Sequence, residues 1–374
     1  MADNVIGIDA SRMVASERTG TETYTANIVT ALLNQSDQHR YRLYLNAAGP
    51  PSDVAGRAEL RLIPFPRGWT HIRLSIEMAL ASPDLLFVPA HVIPILHPKS
   101  IVTIHDLGYL YHPESHPPRQ RWMLEKTTRW NARVAHHIIA PSAATAHDLR
   151  THLQVPDERI SMIHHGVSPD FSPAQPDAIQ RMRRDHHLHR PYVLSVGTRQ
   201  PRKNYVRLAQ AHRNLLAEGH EFDLVIAGKK GWLVDEVDRE LERAGLGDHL
   251  RILDYVPNDD LCPLYSGAEV FVMPSLYEGF GLPLLEAMAS GTPTIAAKRS
   301  SLVEIAGNAA VLVDPLDVGA LSRALVSMVR SKEMRSTLAV EGRAQARQFS
   351  WEAAGAKTAE LFARLLHTVT LNGP

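Results

Sequence analysis

One cysteine, Cys262, in 374 residues excludes an intrachain disulfide and any cysteine metal cluster. Neither charge is in excess: 40 basic side chains face 40 acidic ones, so bulk electrostatics does not point to a nucleic-acid partner. Long apolar runs are missing as well. The longest, around Leu85 to Leu96, is broken by two prolines and a histidine and is too short to cross a bilayer. The chain opens almost directly on the strand-like VIGIDA, without the charged-then-apolar leader of a secreted protein, so the cytoplasm is the expected location. VIGIDASR carries a single glycine at the strand end rather than G-x-G-x-x-G, which argues against a nicotinamide-binding fold. No low-complexity tract or short-period repeat is found.

What the sequence does contain is a long alternation. The apolar runs VIGID, YRLYL, LRLIP, LLFVP, IVTIH, HHIIA and ISMIH, then YVLSV, FDLVIAG, LRILD, VFVMP, TIAA and AVLVD, are separated by helical stretches. That pattern predicts an α/β chain with two parallel sheets in series, each domain large enough to bury its own core. Between the two sets, prolines and charges replace periodic apolar residues. Residues 1–170 are expected to form one Rossmann-like domain, 171–190 a linker and 191–350 a second Rossmann-like domain. Ligands are expected in the cleft the two domains face, outside the carboxyl ends of the strands. Ser350 reads as the N-cap of a final helix over 351–374, with Ala354, Leu361 and Leu365 at helical spacing.

The most informative stretch is LYEGFGLPLLEAMASGTPTIAA, from Leu276 to Ala297. Its neighbour VFVMP reads as a buried strand and PLLEAMAS as a helix, with Pro283 suited to a first turn. The turn between is Glu278-Gly279-Phe280-Gly281, leading into Leu282. Glycines let backbone approach a ligand, and the amides opening a helix favour phosphate. Glu278 and Glu286 flank that anion site as acceptors for sugar hydroxyls. A plain glycine turn with a surface glutamate on each side is the alternative. Upstream, SVGTRQPRKN ends another strand in a glycine turn followed by Arg199, Arg202 and Lys203. Preplaced cations there stabilise the charge that builds on a departing diphosphate, and one such donor is worth about 3 to 4 kcal/mol of barrier. By itself, such a basic loop is more often solvated surface.

Taken together, these segments resemble the retaining glycosyltransferases of family 4, GT-B enzymes marked by two glutamates in an EGFGLxxLEAMAxGxP context. The resemblance implies that Glu278 contacts the donor hexose, that Glu286 holds the ribose hydroxyls, and that Gly279, Phe280, Gly281 and Leu282 line the donor. Lys203 matches the family's lysine, whereas Thr198 stands where an arginine is common, leaving Arg202 or Arg199 as substitutes. RTGTETYTAN resembles the glycine loop over the diphosphate, with Gly20 and Thr21 as contacts, and IVTIHDLGYL assigns His105 to the donor hexose, with Asp106 orienting its ring or capping a turn. His105, Lys203 and Glu278 are thus the candidate catalytic residues. In such enzymes a terminal helix crosses back to the first domain. The blocks GTETYT, IHDL, PRKN and PSLYEGFGLP look most like bacterial mannosyltransferases of cell-surface glycans. The resemblance therefore implies same-face transfer of a hexose, mannose from GDP-mannose favoured, to a lipid-linked or polysaccharide hydroxyl, with the leaving phosphate as base. A UDP-sugar-dependent glucosyl or N-acetylglucosaminyl transferase and a sugar-nucleotide epimerase are the alternatives.

No cofactor beyond the nucleotide-sugar donor is expected, and no metal, because the Asp-any-Asp pattern of metal-dependent sugar transferases is absent. Asp259-Asp260 more simply begins a helix. The pairs His136-His137 and His164-His165 and the run His186-His187-His189 lack ligand spacing and read as surface or loop histidines. His165-Gly166 resembles the family's Asn-Gly before the linker. Finally, RQRWMLEKTTRWNARVAHH sets Lys126, Arg129 and Arg133 at helical spacing near Trp122 and Trp130. Two readings stay open: peripheral contact with anionic lipid, or a solvated basic face over a buried tryptophan.

Overall fold

The computed structural model describes residues 4–367 apart from 16, 36–38, 48–53, 55, 66–67 and 91, so the outermost residues of the first and last expected segments, 1–3 and 368–374, lie outside it. The chain forms two compact units: residues 1–107, 122–166 and 350–374 make the first, and 108–121 with 167–349 the second.

In the first unit, strands β1 (Val5–Asp9), β2 (Arg40–Leu45), β3 (Glu59–Leu62), β4 (Leu85–Val88), β5 (Ser100–Thr103), β6 (His137–Ala140) and β7 (Ile160–Met162) form one sheet in the order β3-β2-β1-β4-β5-β6-β7. Every pairing is parallel. In the second, β8 (Tyr192–Val196), β9 (Asp223–Ala227), β10 (Leu250–Leu253), β11 (Val270–Met273), β12 (Thr294–Ala297) and β13 (Val311–Val313) run β10-β9-β8-β11-β12-β13, again all parallel. All thirteen apolar runs of the sequence are strands. Helices cover both faces of a parallel sheet, so its central strands are apolar throughout. LLFV of β4, VFVM of β11 and TIAA of β12 are buried at every position, whereas the edge strand β3, ELRL, is exposed at every position.

The segment expected to link the domains is folded. Pro176–Asp185 is a helix whose Met182 is buried, and it packs on the helix Asn258–Ser266 of the same unit. Its polar composition hides this, because few apolar residues suffice when only one face meets the core. At the other end, Ser350 caps the helix Trp351–His367, accepting from the Ala353 amide at 3.1 Å. This helix packs in the first unit against Gly20–Leu33, and its Phe362 ring lies 5.4 Å from Phe87 of β4.

Candidate functional site

In each sheet the chain order reverses direction once, between β1 and β4 and between β8 and β11. Loops leaving two such strands diverge to opposite faces and open a crevice at their carboxyl ends. In the second unit the loop after β8 enters the 3-10 turn Pro201–Lys203, and Asn204, at φ 61°, turns the chain into the helix Tyr205–Ala217. The Asn204 side-chain Nδ2 donates to the carbonyls of Pro274 at 2.9 Å and Pro315 at 2.8 Å, tying this loop to those after β11 and β13. The Leu276 amide adds a bond to the Arg202 carbonyl at 2.9 Å.

That stitching brings both cations of PRKN onto Glu278. Lys203 Nζ donates to Glu278 Oε1 at 2.6 Å, and Arg202 Nη1 lies 3.4 Å from Oε2 while also donating to the Tyr277 carbonyl. All three side chains are buried. Burial pushes the Glu278 carboxyl upward, but the charges of Lys203 and Arg202 and the hydrogen bond from Lys203 outweigh it and hold the group below its ordinary range. The backbone of the turn is pinned from the loop after β12. Ser300 Oγ accepts from the Glu278 amide at 2.9 Å, and Ser301 Oγ lies 2.8 Å from the carbonyls of Glu278 and Phe280. Gly281 closes the turn at φ 111°, and a Cβ there would sit 2.7 Å from Leu302 Cδ2. Only glycine fits. The helix Leu282–Ala289 then begins, with Pro283 in its first turn.

Glu286, one helical turn further on, has a different environment. The Tyr265 hydroxyl donates to its Oε2 at 2.8 Å, yet burial prevails and pushes the carboxyl up to about 7. Two carboxylates with opposite shifts therefore share one helix start, one firmly ionised and one poised near neutrality. Arg199 is not brought to Glu278: it is buried in ion pairs with Asp238 at 3.4 Å and Asp254 at 3.1 Å. Of the two candidate substitutes for the arginine absent at Thr198, the fold sets Arg202 beside the carboxylate.

In the first unit, Gly20 and Thr21 open the helix Gly20–Leu33, where Glu22 reaches back to accept from the Thr19 amide at 3.2 Å, half of a capping box. A Cβ at Gly20 would meet nothing within 4 Å. His105 follows β5, and its Nε2 lies 2.8 Å from the Pro89 carbonyl. A carbonyl can only accept, so Nε2 carries the ring proton. Tyr24 stands edge-on to the His105 ring at 4.8 Å, and its hydroxyl lies 3.0 Å from Thr103 Oγ1.

Two histidines depart from the surface reading. His137 lies buried within β6 and its Nε2 meets Ser161 Oγ at 2.9 Å. His165 is buried between Tyr24, at 4.3 Å, and Trp351, stacked at 5.8 Å, with His105 at 5.5 Å. Burial, and then the neighbouring His105 and His164, push its pKa far down, so it is a neutral aromatic in this stack. Sequence reasoning missed His165, Tyr265, Ser300 and Ser301. The signal for His165 was its glycine: a Cβ on Gly166 would lie 2.2 Å from the Trp351 backbone nitrogen. The other three carry no local pattern. Nor are the tryptophans of Pro118–Val134 buried beneath its basic face, for Trp122 and Trp130 are 64% and 42% exposed.

Two family models match this chain: "Glycosyltransferase Family 4" over residues 18–171 and "Glycosyl transferases group 1" over residues 178–345. The chain is 34% identical over 266 residues to O-antigen chain mannosyltransferase B of Escherichia coli, covering 71% of this chain and 70% of that protein. It is 29% identical over 316 residues to the serotype-specific mannosyltransferase WbdA of the same species, covering 78% of this chain and only 38% of WbdA. Among solved structures, sucrose-phosphate synthase of Thermosynechococcus elongatus superposes with a TM-score of 0.77 at 20% identity, over 98% of this chain and 100% of that one. HepE of Anabaena gives 0.75 at 17%, over 97% and 100%. These two share the GT-B fold with this chain.

Proposed function

This chain belongs to the group 1 glycosyl transferases, glycosyltransferase family 4, and from that premise we propose that it moves mannose from GDP-mannose to a hydroxyl of a cell-surface glycan, with retained anomeric configuration and no metal. The mannosyl part rests on its E. coli relatives, which are mannosyltransferases. The observation that carries the site is the contact of Lys203 and Arg202 with Glu278 at the start of the helix Leu282–Ala289.

In this reading the amides of Gly279, Phe280, Gly281 and Leu282, with Lys203 and Arg202, take the diphosphate and offset the charge that grows on it as the glycosyl bond breaks. Glu278, kept ionised by the same cations, accepts hexose hydroxyls, and Glu286 accepts the ribose hydroxyls. Gly20, Thr21 and His105 complete the donor contacts. A Cβ at Gly20 would meet nothing within 4 Å and its backbone is not left-handed, so neither packing nor backbone geometry accounts for the glycine, which supports a ligand contact there. The bond from the anomeric carbon to phosphate oxygen breaks, a bond to the acceptor oxygen forms on the same face, and the acceptor proton leaves on the diphosphate.

A thermal-shift panel tests the donor. GDP at about a hundred times its dissociation constant should add about 2.7 kcal/mol, or roughly 5–10 °C in Tm, in the presence of EDTA. A larger shift with UDP would sink the GDP-mannose assignment while sparing the family. Mannosyl transfer to a lipid-linked oligosaccharide, with the new anomeric coupling read by NMR, tests retention, and activity lost to chelation and restored by magnesium or manganese would contradict the metal-free reading.

A further inference from the structure

Among the described residues β3, Glu59–Leu62, is hydrogen-bonded on one side only, to β2, and ends the first sheet. All four of its residues are exposed, and an uncovered strand edge is a ready template for another strand. Backbone groups alternate sides along a strand, so one bond fixes which of them are left over. The Ile63 amide donates to the Leu45 carbonyl at the end of β2, at 2.8 Å. Glu59 and Arg61 therefore turn their N–H and C=O groups toward β2 as well, and those of Leu60 and Leu62 point outward. Side chains alternate in the same way. Leu60 and Leu62 share one face, and Glu59 and Arg61 the other, where Glu59 pairs with Arg42 at 3.0 Å and Arg61 with Glu77 at 3.3 Å. Both charged groups stay within reach of a partner, at 39% and 44% accessible.

We infer that β3 is a homodimer interface, which joins the sheet of one copy to that of a second by antiparallel pairing about a two-fold axis through Leu60. Only a register that sets outward-facing groups against outward-facing groups can bond, and this places the axis on a residue rather than between two. An axis on Glu59 or Arg61 sets like charge on like. One on Leu62 opposes Leu60 to Pro64, which has no N–H to give, and one at Ala58 or before it leaves most of β3 unpaired, because the chain turns at Arg57. With the axis on Leu60, the two Leu60 residues exchange N–H···O bonds, Leu62 does so with the partner's Ala58, and each Glu59 faces the partner's Arg61. Charge picks the occupant. A run of one sign would repel a second copy, whereas opposite signs two residues apart make this edge complementary to itself. Antiparallel joining also points the carboxyl ends of the two sheets in opposite directions, so the loops carrying Gly20 and His105 lie away from those of the partner.

The test is sedimentation velocity on the full chain over about 1 to 100 μM, which should show a concentration-dependent dimer. Glu59→Arg opposes arginine to arginine at both ends of the two-fold contact, and Arg61→Glu opposes glutamate to glutamate, so each should weaken self-association about tenfold. An equimolar mixture of the two single variants should associate again, because each chain supplies the charge the other lacks. The double variant Glu59→Arg with Arg61→Glu should likewise recover the dimer. These side chains are exposed, so circular dichroism and the nucleotide-induced Tm shift should stay parental, which separates this inference from the transferase reading. A monomer throughout the series, parental association by either single variant, or a mixture that stays monomeric would overturn it.

Discussion

The two glutamates of the motif make opposite predictions with pH. Glu286 titrates near 7 in the folded chain, far above a free glutamate, so the folded state keeps a proton that the unfolded chain has released. Its contribution to stability therefore falls as pH rises from about 4.5 to about 7 and is level beyond. If only the ionised form accepts the ribose hydroxyls, nucleotide affinity should increase about tenfold between pH 6 and pH 8, and Glu286→Gln should flatten that rise. A parental pH profile in Glu286→Gln would reject the role. For Glu278 the sign reverses: its depressed pKa contributes stability above the ordinary carboxylate range that is lost as pH falls through the folded value. Removing one partner of such a buried pair strands the other charge. Lys203→Met alone should cost about 3 kcal/mol, and Lys203→Met with Glu278→Leu should cost less than the sum of the two single changes, with Arg202 left unpaired by the second, and leave no transfer; additive losses in urea melts would refute the coupling. The glycines separate packing from ligand space. Gly281→Ala should destabilise by about 1–3 kcal/mol, since both its φ and Leu302 oppose a side chain. Gly20→Ala should leave Tm unchanged or slightly higher and still reduce turnover, and a Tm loss there would remove the argument for ligand room.

Among the elements, strands were the most legible part of the sequence, because a strand buried on both faces must be largely apolar, and thirteen short apolar-rich runs, the exposed edge β3 included, mark the strands. Helices on one face of a unit were harder. Pro176–Asp185 looked like a linker since only Met182 among its core-facing positions is apolar and buried. The helix Trp351–His367 was legible from Ser350 and its heptad-like apolar spacing, and its packing partner, Gly20–Leu33, was not. That partnership carries a prediction. Truncation at Ser350 uncovers Phe87 and the Ala31 backbone against which Gly355 sits, so hydrogen exchange should lose protection across β1 and β4 while β8 and β11 keep theirs. Uniform loss of protection over both sheets would show that the two units do not unfold separately.

For the whole molecule, the decisive fact is that each unit is discontinuous: residues 108–121 belong with the second unit and 350–374 with the first. The first of these is held by His116, 5.1 Å from Trp232, and by Tyr111, stacked at 5.1 Å on Tyr277 beside Glu278. Short-range pattern is blind to such exchanges, since the unit a segment packs in is set by partners distant in the chain. Nucleotide binding should therefore raise hydrogen-exchange protection most in 197–204 and 275–282, with a smaller rise in 108–116 through the Tyr111 stack; a response confined to edge strands such as β10 would contradict the site.

Sequence determined the strands, the glycine turn, the helix that follows it and the pairing of basic loop with acidic motif as chemistry, because each is written within a few consecutive residues. Tertiary structure decided what those groups do to one another. Which arginine meets Glu278, why Glu278 ionises while Glu286 is poised near neutrality, and why His165 stacks in the core all depend on partners about 20 to almost 190 positions away: Lys203 on Glu278, Tyr265 on Glu286, Trp351 on His165. Ionisation and burial are set by such distant neighbours and by the water they exclude, and no stretch of sequence read locally contains them.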